Sequence, residues 1–198
     1  VESTAEATPG DAVDEAASEP RFRVADIGTG SGCVAISIAL GVPGVRVHAT
    51  DIAEEALALA ARNIERFGVG DRVRLIQGDG CRPLAERLAA EGPWDAIVSN
   101  PPYIPDAEWT GGQVEEAVRR HVPERALRGG PDGLSVLKPL LREAPQLLRP
   151  GGLLVLECAA AHAEQLRQWA EMHPRLTAVE LLDDEDGLPR TLVARRPA

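Results

Sequence analysis

Seven residues, Asp26-Ile27-Gly28-Thr29-Gly30-Ser31-Gly32, stand directly between an apolar, β-branched run and an apolar helical run, and they constrain the fold of this chain more than any other feature. Glycines at alternate positions permit a tight turn and let a ligand approach bare backbone. A strand, such a turn and a helix open a β-α-β unit of the nucleotide-binding kind. The spacing is GxGxG; the dinucleotide fingerprint GxGxxG would need glycine at position 33, where Cys33 stands. About twenty residues further on, the next strand closes with Asp51, where a carboxylate can accept both hydroxyls of a ribose. The loop therefore suits a nucleoside joined to an amino acid rather than to a pyrophosphate. The alternative is a generic turn of this fold that binds a nicotinamide dinucleotide or nothing.

The rest of the chain continues the alternation. Strands are predicted at residues 22–28, 45–52, 73–79, 94–100 and 153–158, with helices at 33–40, 53–67, 84–90, 134–148 and 162–173 between and after them. Gly68 closes the second helix, and Pro150-Gly151-Gly152 is read as the stop of the fourth. Residues 103–131 lack periodicity and read as loop. The runs 176–182 and 191–195 read as a closing antiparallel pair. Such repetition implies an α/β fold with a mostly parallel seven-stranded sheet, helices on both faces and an antiparallel pair at the C-terminus.

Composition bounds the function class. With 198 residues and 44% apolar content the chain can build one sizeable core, and no run of 18 apolar residues marks a membrane span. Residues 1–20 hold six acids, no basic residue and almost nothing to bury; they read as a disordered acidic tail rather than a secretory signal, with one domain over 21–198. Four further acids form Asp183-Asp184-Glu185-Asp186. Without those ten, 21 acids face 21 basic residues, so the formal charge of −10 sits in two patches. No dense basic stripe of the kind phosphate backbones require is visible, which disfavours a nucleic-acid substrate without excluding one. Cys33, Cys81 and Cys158 form no CxxC pair and read as reduced thiols of a cytoplasmic protein, neither a disulfide framework nor a zinc site.

The second chemical motif is Asn100-Pro101-Pro102-Tyr103, at the end of the fourth predicted strand and so at the carboxyl edge of the sheet, beside the first strand. The bland alternative is a Pro-Pro strand breaker. An amide nitrogen is a poor nucleophile because its lone pair is delocalised into the carbonyl. The Asn100 side-chain oxygen and the Pro101 carbonyl can each accept one N–H of a planar NH2 and aim that nitrogen at an electrophilic methyl, which is catalysis by positioning. Two prolines fix the turn, and Tyr103 can stack on a flat amide or base. No residue stands out as a general base. Asp79-Gly80 ends the third strand, where such folds touch adenine; an ordinary strand-end turn fits equally well.

These stretches, together with Pro123-Glu124-Arg125-Ala126-Leu127, Gly129-Gly130-Pro131-Asp132-Gly133-Leu134 and Leu148-Arg149-Pro150-Gly151-Gly152, resemble the HemK/PrmC family over about residues 22–196. That family methylates the side-chain amide of the glutamine in the Gly-Gly-Gln loop of peptide-chain release factors. The resemblance implies a Rossmann-like class I fold using S-adenosylmethionine. It implies cofactor contacts at Gly28, Thr29, Gly30, Ser31, Gly32, Asp51 and Asn100, to which the reading of the residues themselves adds Asp26 before the loop and Asp79 and Gly80 after the third strand. It also implies substrate contacts at Asn100, Pro101, Pro102 and Tyr103, with Asn100, Pro101 and Tyr103 as the reaction centre and no metal. The GGxDGL segment is the discriminating one, since the glycine loop and the Asn-Pro-Pro-Tyr turn occur in many methyltransferases. Three departures stand out. Gly80 replaces the aromatic the family often carries, His121-Val122-Pro123 replaces its Tyr-Glu-Pro, and an acidic stretch precedes Phe22 where bacterial members carry a helical substrate-binding domain.

The expected substrate is thus a protein glutamine, with amino methylation of adenine or cytosine on RNA or DNA and a cofactor-binding, weakly catalytic partner protein as competing readings. Gly111-Gly112-Gln113 reads as coincidence. His48, His121, His162 and His173 read as structural or surface histidines, Asp183–Asp186 as a solvated turn, and Arg119-Arg120 as a solvated helix face.

Overall fold

A computed structural model describes residues 22–112 and 116–198; the predicted tail and Gln113 lie outside the described residues. In chain order the elements are β1 (Phe22–Ile27), α1 (Cys33–Gly41), β2 (Val45–Asp51), α2 (Glu54–Phe67), β3 (Val73–Gln77), α3 (Arg82–Ala85), α4 (Leu88–Glu91) and β4 (Trp94–Ser99). They continue as α5 (Asp106–Thr110), α6 (Glu116–His121), α7 (Leu137–Glu143), β5 (Leu148–Glu157), α8 (Ala160–Met172), β6 (Thr177–Asp183) and β7 (Pro189–Arg195). Seven strands form one sheet in the order β3-β2-β1-β4-β5-β7-β6. β1 to β5 run parallel, while β7 pairs antiparallel with both β5 and β6. The order reverses between β1 and β4, the switch point at which open α/β sheets leave a crevice for ligands.

The sheet carries a core on each face because alternate side chains of a strand leave opposite faces; β1 sends Val24 to one and Ala25 and Ile27 to the other. Val24, Val45, Val47 and Ala49 pack with Ala35, Ile36 and Ala39 of α1 and Ile64 of α2. Ala25, Ile27, Ile97, Leu154 and Leu156 pack on the other face with Leu137, Leu140 and Leu141 of α7 and Ala163, Leu166 and Ala170 of α8. α2 ends as its sequence dictates: Gly68 takes φ +65° and its N–H reaches back to Glu65 and Ile64.

Four sequence expectations change. The helix expected at 84–90 is two single turns, because the Arg87 N–H bonds to Leu84 O, three residues back, and tightens the chain between them. The helix expected at 134–148 is confined to α7; the Ser135 N–H is bonded to Gly129 O outside the helix, and Pro145, which has no N–H to donate, ends it in a 3-10 turn. Pro150-Gly151-Gly152 does not stop a helix but lies inside β5. Trp94 pairs with Leu148 and Ala96 with Leu153, so residues 149–152 form a bulge, pinned on its far side by the reciprocal bonds Gly151 N–H to Arg196 O and Arg196 N–H to Gly152 O, each 2.9 Å. Residues 103–131, expected as loop, contain α5, α6 and a 3-10 turn at Glu124–Ala126.

Three of the four histidines are not gathered at one place: His121 is exposed, His173 accepts the Arg175 N–H at 3.2 Å, and His162 is half-buried under the turn after β4. Asp184 organises the β6–β7 hairpin by accepting N–H groups of Asp186 and Leu188 at 3.0 Å and the Arg190 Nε–H at 3.1 Å. Arg120 pairs with Glu116 on the exposed side of α6, and the Arg119 side chain lies outside the described residues. Burial pushes the Cys81 thiol up to about 12 and the Cys158 thiol to about 11, so both are inert small apolar residues, whereas Cys33 is exposed.

Candidate active site

The glycine loop is fastened to the end of β2 rather than left free. The Thr50 carbonyl accepts the N–H groups of Gly28 and Thr29, each at 2.8 Å, and the Asp51 carboxylate accepts that of Gly30 at 2.9 Å. The other Asp51 oxygen accepts the Ala53 N–H at 2.9 Å and so starts α2. From the opposite side Asn63 of α2 donates to the Ser31 carbonyl at 2.8 Å. Gly28, Gly30 and Gly32 have φ of +74°, +56° and +82°, values that a side-chain-bearing residue adopts only with strain. Their roles differ. A Cβ on Gly32 would meet Ala60 Cβ at 3.2 Å, so Gly32 serves helix packing. A Cβ on Gly28 or Gly30 would meet nothing within 4 Å; their bare backbone borders open space.

Asp26 sits beneath this loop, 1% exposed. Its Oδ2 accepts the Thr29 hydroxyl at 2.6 Å and the Ala35 N–H at 3.2 Å, while its buried Oδ1 has no partner among the described residues. Burial pushes its carboxyl up to about 6 against the opposing pull of those two hydrogen bonds. Sequence reasoning set Asp26 and Thr29 among the ligand contacts; both are buried, and they hold the loop's shape from below. Asp51 is half-buried and keeps lone pairs to spare, so it can serve loop and ligand together. Asp79 is exposed after β3, and Gly80 has φ +52° with nothing within 4 Å of an added Cβ.

The second half of the site begins where β4 ends. Ser99 donates its hydroxyl to the Ile27 carbonyl at 2.6 Å, tying the end of β4 to the end of β1 immediately before the glycine loop. Asn100 follows, exposed, its amide free of hydrogen-bond partners among the described residues. Pro101 is buried and its carbonyl accepts no hydrogen bond among them either. Tyr103 is half-buried against the core, and its hydroxyl donates to Glu157 at 3.2 Å. Burial, with the Glu157 carboxylate beside it, holds the phenol above its ordinary range. The ring expected to stack freely on a substrate is therefore clamped to the end of β5.

The discriminating Gly-Gly-Pro-Asp-Gly-Leu segment braces this turn. Ile104 N–H bonds to Leu127 O at 2.9 Å, Gly129 N–H to Ile104 O at 2.8 Å, and Asp106 N–H to Gly130 O at 3.0 Å. A Cβ on Gly133 would lie 2.5 Å from the Tyr103 carbonyl oxygen and 2.9 Å from His162 Cε1; one on Gly129 would lie 2.5 Å from the Gly133 carbonyl. Asp132 accepts the Leu134 N–H at 3.1 Å and pairs with Lys138 at 2.6 Å, and Leu134 enters the core, 3% exposed. Arg128 bridges Asp106 at 2.8 Å and Glu124, and a cavity of about 570 Å3 opens beside it, lined by Asp106, Pro123, Glu124, Arg125, Arg128 and Gly130. Sequence reasoning missed Ser99, Glu157, Asp106, Glu124 and Arg128. Only Glu157 gave a local signal, an acid ending an apolar strand as Asp51 does.

A mostly parallel open sheet with a glycine loop at its switch point, beside an Asn-Pro-Pro-Tyr turn, has the class I methyltransferase architecture. Comparison with known proteins agrees: residues 13–132 match the methyltransferase small domain, and the chain belongs to that family. It is 40% identical over 182 residues to the release factor glutamine methyltransferase of Gloeobacter violaceus, which covers 92% of this chain and 61% of that protein. It is 42% identical to the one of Streptomyces coelicolor, over 87% of this chain and 58% of that protein. The chain thus spans about three fifths of the length of these relatives. Among solved structures, TrmN from Thermus thermophilus superposes with a TM-score of 0.58 at 25% identity, over 89% of this chain and 44% of that one. A methyltransferase from Pyrococcus furiosus gives 0.60 at 22% identity, over 89% and 76%. At 17% identity, an O-methyltransferase from Bacillus cereus in complex with SAH gives 0.58 over 88% and 74%; the last two bear on fold alone.

Proposed function

We propose that this chain is the methyltransferase domain of a cytoplasmic enzyme that methylates the side-chain amide nitrogen of a glutamine in a protein, a peptide-chain release factor, using S-adenosylmethionine. The observation that carries the reading is the exposed Asn100 amide, without a partner among the described residues, on a turn locked to the glycine loop by Ser99 and braced from behind by residues 127–134. The relatives, release factor glutamine methyltransferases, supply the substrate class.

The residues present fit the cofactor. Gly28 and Gly30 offer open backbone, Asp51 offers a half-buried carboxylate to a ribose, and Gly80 leaves open space at the end of β3. When bound, S-adenosylmethionine supplies an electrophilic methyl group. The chain does the rest by positioning. Asn100 Oδ1 and the Pro101 carbonyl accept the two N–H groups of the glutamine amide, hold its plane and prevent rotation, while Pro101 and Pro102 keep both acceptors in place before substrate arrives. Tyr103, tied to Glu157, walls the pocket. The proton left on nitrogen after transfer passes to solvent, and no general base is assigned.

The test is incubation of the purified chain with methyl-labelled S-adenosylmethionine and a release factor, followed by peptide mass spectrometry. The expected product is a single methyl group on the Gly-Gly-Gln glutamine. Label appearing in added RNA or DNA and not in protein would overturn the protein reading in favour of a flipped base on the same turn. Absence of cofactor binding would overturn the enzymatic reading altogether.

A further inference from the structure

The edge of the sheet opposite the site carries a feature that methyl transfer does not use. At the amino ends of β1, β2 and β3, a cavity of about 350 Å3 is lined by Arg23, Arg46, Arg72, Arg74, His48 and Glu91, with residues 70, 71 and 73 completing the wall. Arg23 lies opposite Arg46 in the parallel register, and His48 opposite Arg74, which puts their side chains on one face. Not all of this charge is spent. Glu91 engages Arg74 at 3.2 Å and Arg87 at 3.9 Å, and Arg72 is taken up by Asp71 and the Ala39 carbonyl. The guanidiniums of Arg23 and Arg46 have no hydrogen bond or ion pair among the described residues.

Two like charges side by side on neighbouring strands destabilise a sheet. They are retained here in a chain whose formal charge is −10, facing a concave space. The floor of the cavity is neutral and fixed. Trp94 Nε1–H, which can only donate, gives its hydrogen to His48 Nδ1 at 3.1 Å, so His48 carries its proton on Nε2 and donates it to Glu91 at 3.2 Å. His48 is 4% exposed and cannot gain a second proton without losing the Trp94 bond. The positive field therefore comes from guanidiniums alone, and guanidinium forks match the oxygen spacing of oxoanions.

We propose that this cavity is an oxoanion site, distinct from the methyl-transfer site, that takes a phosphate group between Arg23 and Arg46 with Arg74 alongside. The probes are inorganic phosphate and glycerol phosphate, titrated calorimetrically into the full chain at low ionic strength against chloride at equal ionic strength. Inorganic phosphate is expected to bind with a Kd on the order of 1 mM or below, a modest affinity suited to a single small anion. The double variant Arg23→Gln, Arg46→Gln is expected to weaken binding roughly tenfold or more, because it removes both charge-assisted forks. Arg142→Gln, at an exposed arginine of α7, is expected to leave it unchanged. The double variant is expected to melt no lower than the parent, which separates lost binding from lost folding. Tighter binding of glycerol phosphate assigns the site to an esterified phosphate, and tighter binding of inorganic phosphate to the free ion; either supports it. Phosphate binding no stronger than chloride, or equal affinity in the double variant, overturns the proposal.

Discussion

Gly133→Ala probes whether the family-specific segment acts as a brace. Gly133 has φ +72°, and an alanine there incurs about 1–2 kcal/mol of backbone strain. Its Cβ would also fall 2.5 Å from the Tyr103 carbonyl oxygen and 2.9 Å from His162 Cε1, so two half-buried residues must move. Overpacking of this kind costs about 1–3 kcal/mol, giving about 2–5 kcal/mol in all. Gly187 provides the control. It has φ +75°, but an added Cβ would meet nothing within 4 Å, so Gly187→Ala carries the backbone cost alone. Urea unfolding of both variants measures the difference, expected at about 1–3 kcal/mol against Gly133→Ala. Because relief requires Tyr103 to shift, turnover should fall as well, by roughly a hundredfold for a misplacement of about 1 Å, while Gly187→Ala turns over as the parent does. Equal urea midpoints for the two variants would refute the packing of residues 129–134 on the Asn-Pro-Pro-Tyr turn as the reason for these glycines.

Asn100→Ala should lower kcat about a hundredfold, about 2.7 kcal/mol, with a smaller change in cofactor affinity, and Asn100→Asp should keep part of the activity; steady-state kinetics with parallel calorimetry checks both. Asp51→Ala should weaken S-adenosylhomocysteine binding by about 1.5–3 kcal/mol, and should also lower Tm, because the Gly30 and Ala53 N–H groups lose their acceptor. Asp26 is raised from 3.8 to about 6 in the folded chain, so between those values the folded state binds more protons than the unfolded one and stability falls as pH rises. Burial lowers His48 below its ordinary value, which gives a slope of opposite sign as pH drops below about 6.5. The Asp26 contribution is therefore read as the difference between parent and Asp26→Asn in urea unfolding across that window, expected to reach about 3 kcal/mol above pH 6. Deleting residues 1–20, which hold almost nothing to bury, should leave Tm unchanged in differential scanning calorimetry.

The parts of the candidate site that were legible in the sequence are those encoded within a few residues. A glycine turn between a strand and a helix, an acid ending the next strand, and a proline-fixed turn ending the fourth each state their position locally. What was not legible depends on backbone groups far apart along the chain. Ile104 meets residues 127–129 through main-chain bonds that leave no periodicity, so residues 103–131 read as loop. Gly133 is visible as a glycine, but the crowding against Tyr103 that demands it is not. Pro150-Gly151-Gly152 has the composition of a helix stop and lies in a bulge held by Arg196, the residue that follows β7. Arg23 and Arg46 look like ordinary solvated charges until β1 and β2 pair in register.

Hydrogen bonds at the carboxyl edge of the sheet join every strand end that the site uses. The Gly78 N–H bonds to the Asp51 carbonyl at 3.0 Å, linking β3 to β2, and Thr50 holds the glycine loop of β1. Ser99 links β4 to β1, and Tyr103 links the turn after β4 to Glu157 of β5. Each link is modest, about 1 kcal/mol. Their arrangement matters more than their sum, because the proposed acceptor is an amide whose lone pair is barely available. With no base assigned, the proposed transfer rests on how closely the Asn100 amide is held relative to the glycine loop. The β1–β4 ladder spans that gap, and Ser99 Oγ adds a side-chain bond to Ile27 O at its end. The site is thus two preformed halves whose separation is set by the sheet itself, so a substitution that only loosens the pairing of β1 with β4 should cost turnover before it costs cofactor affinity.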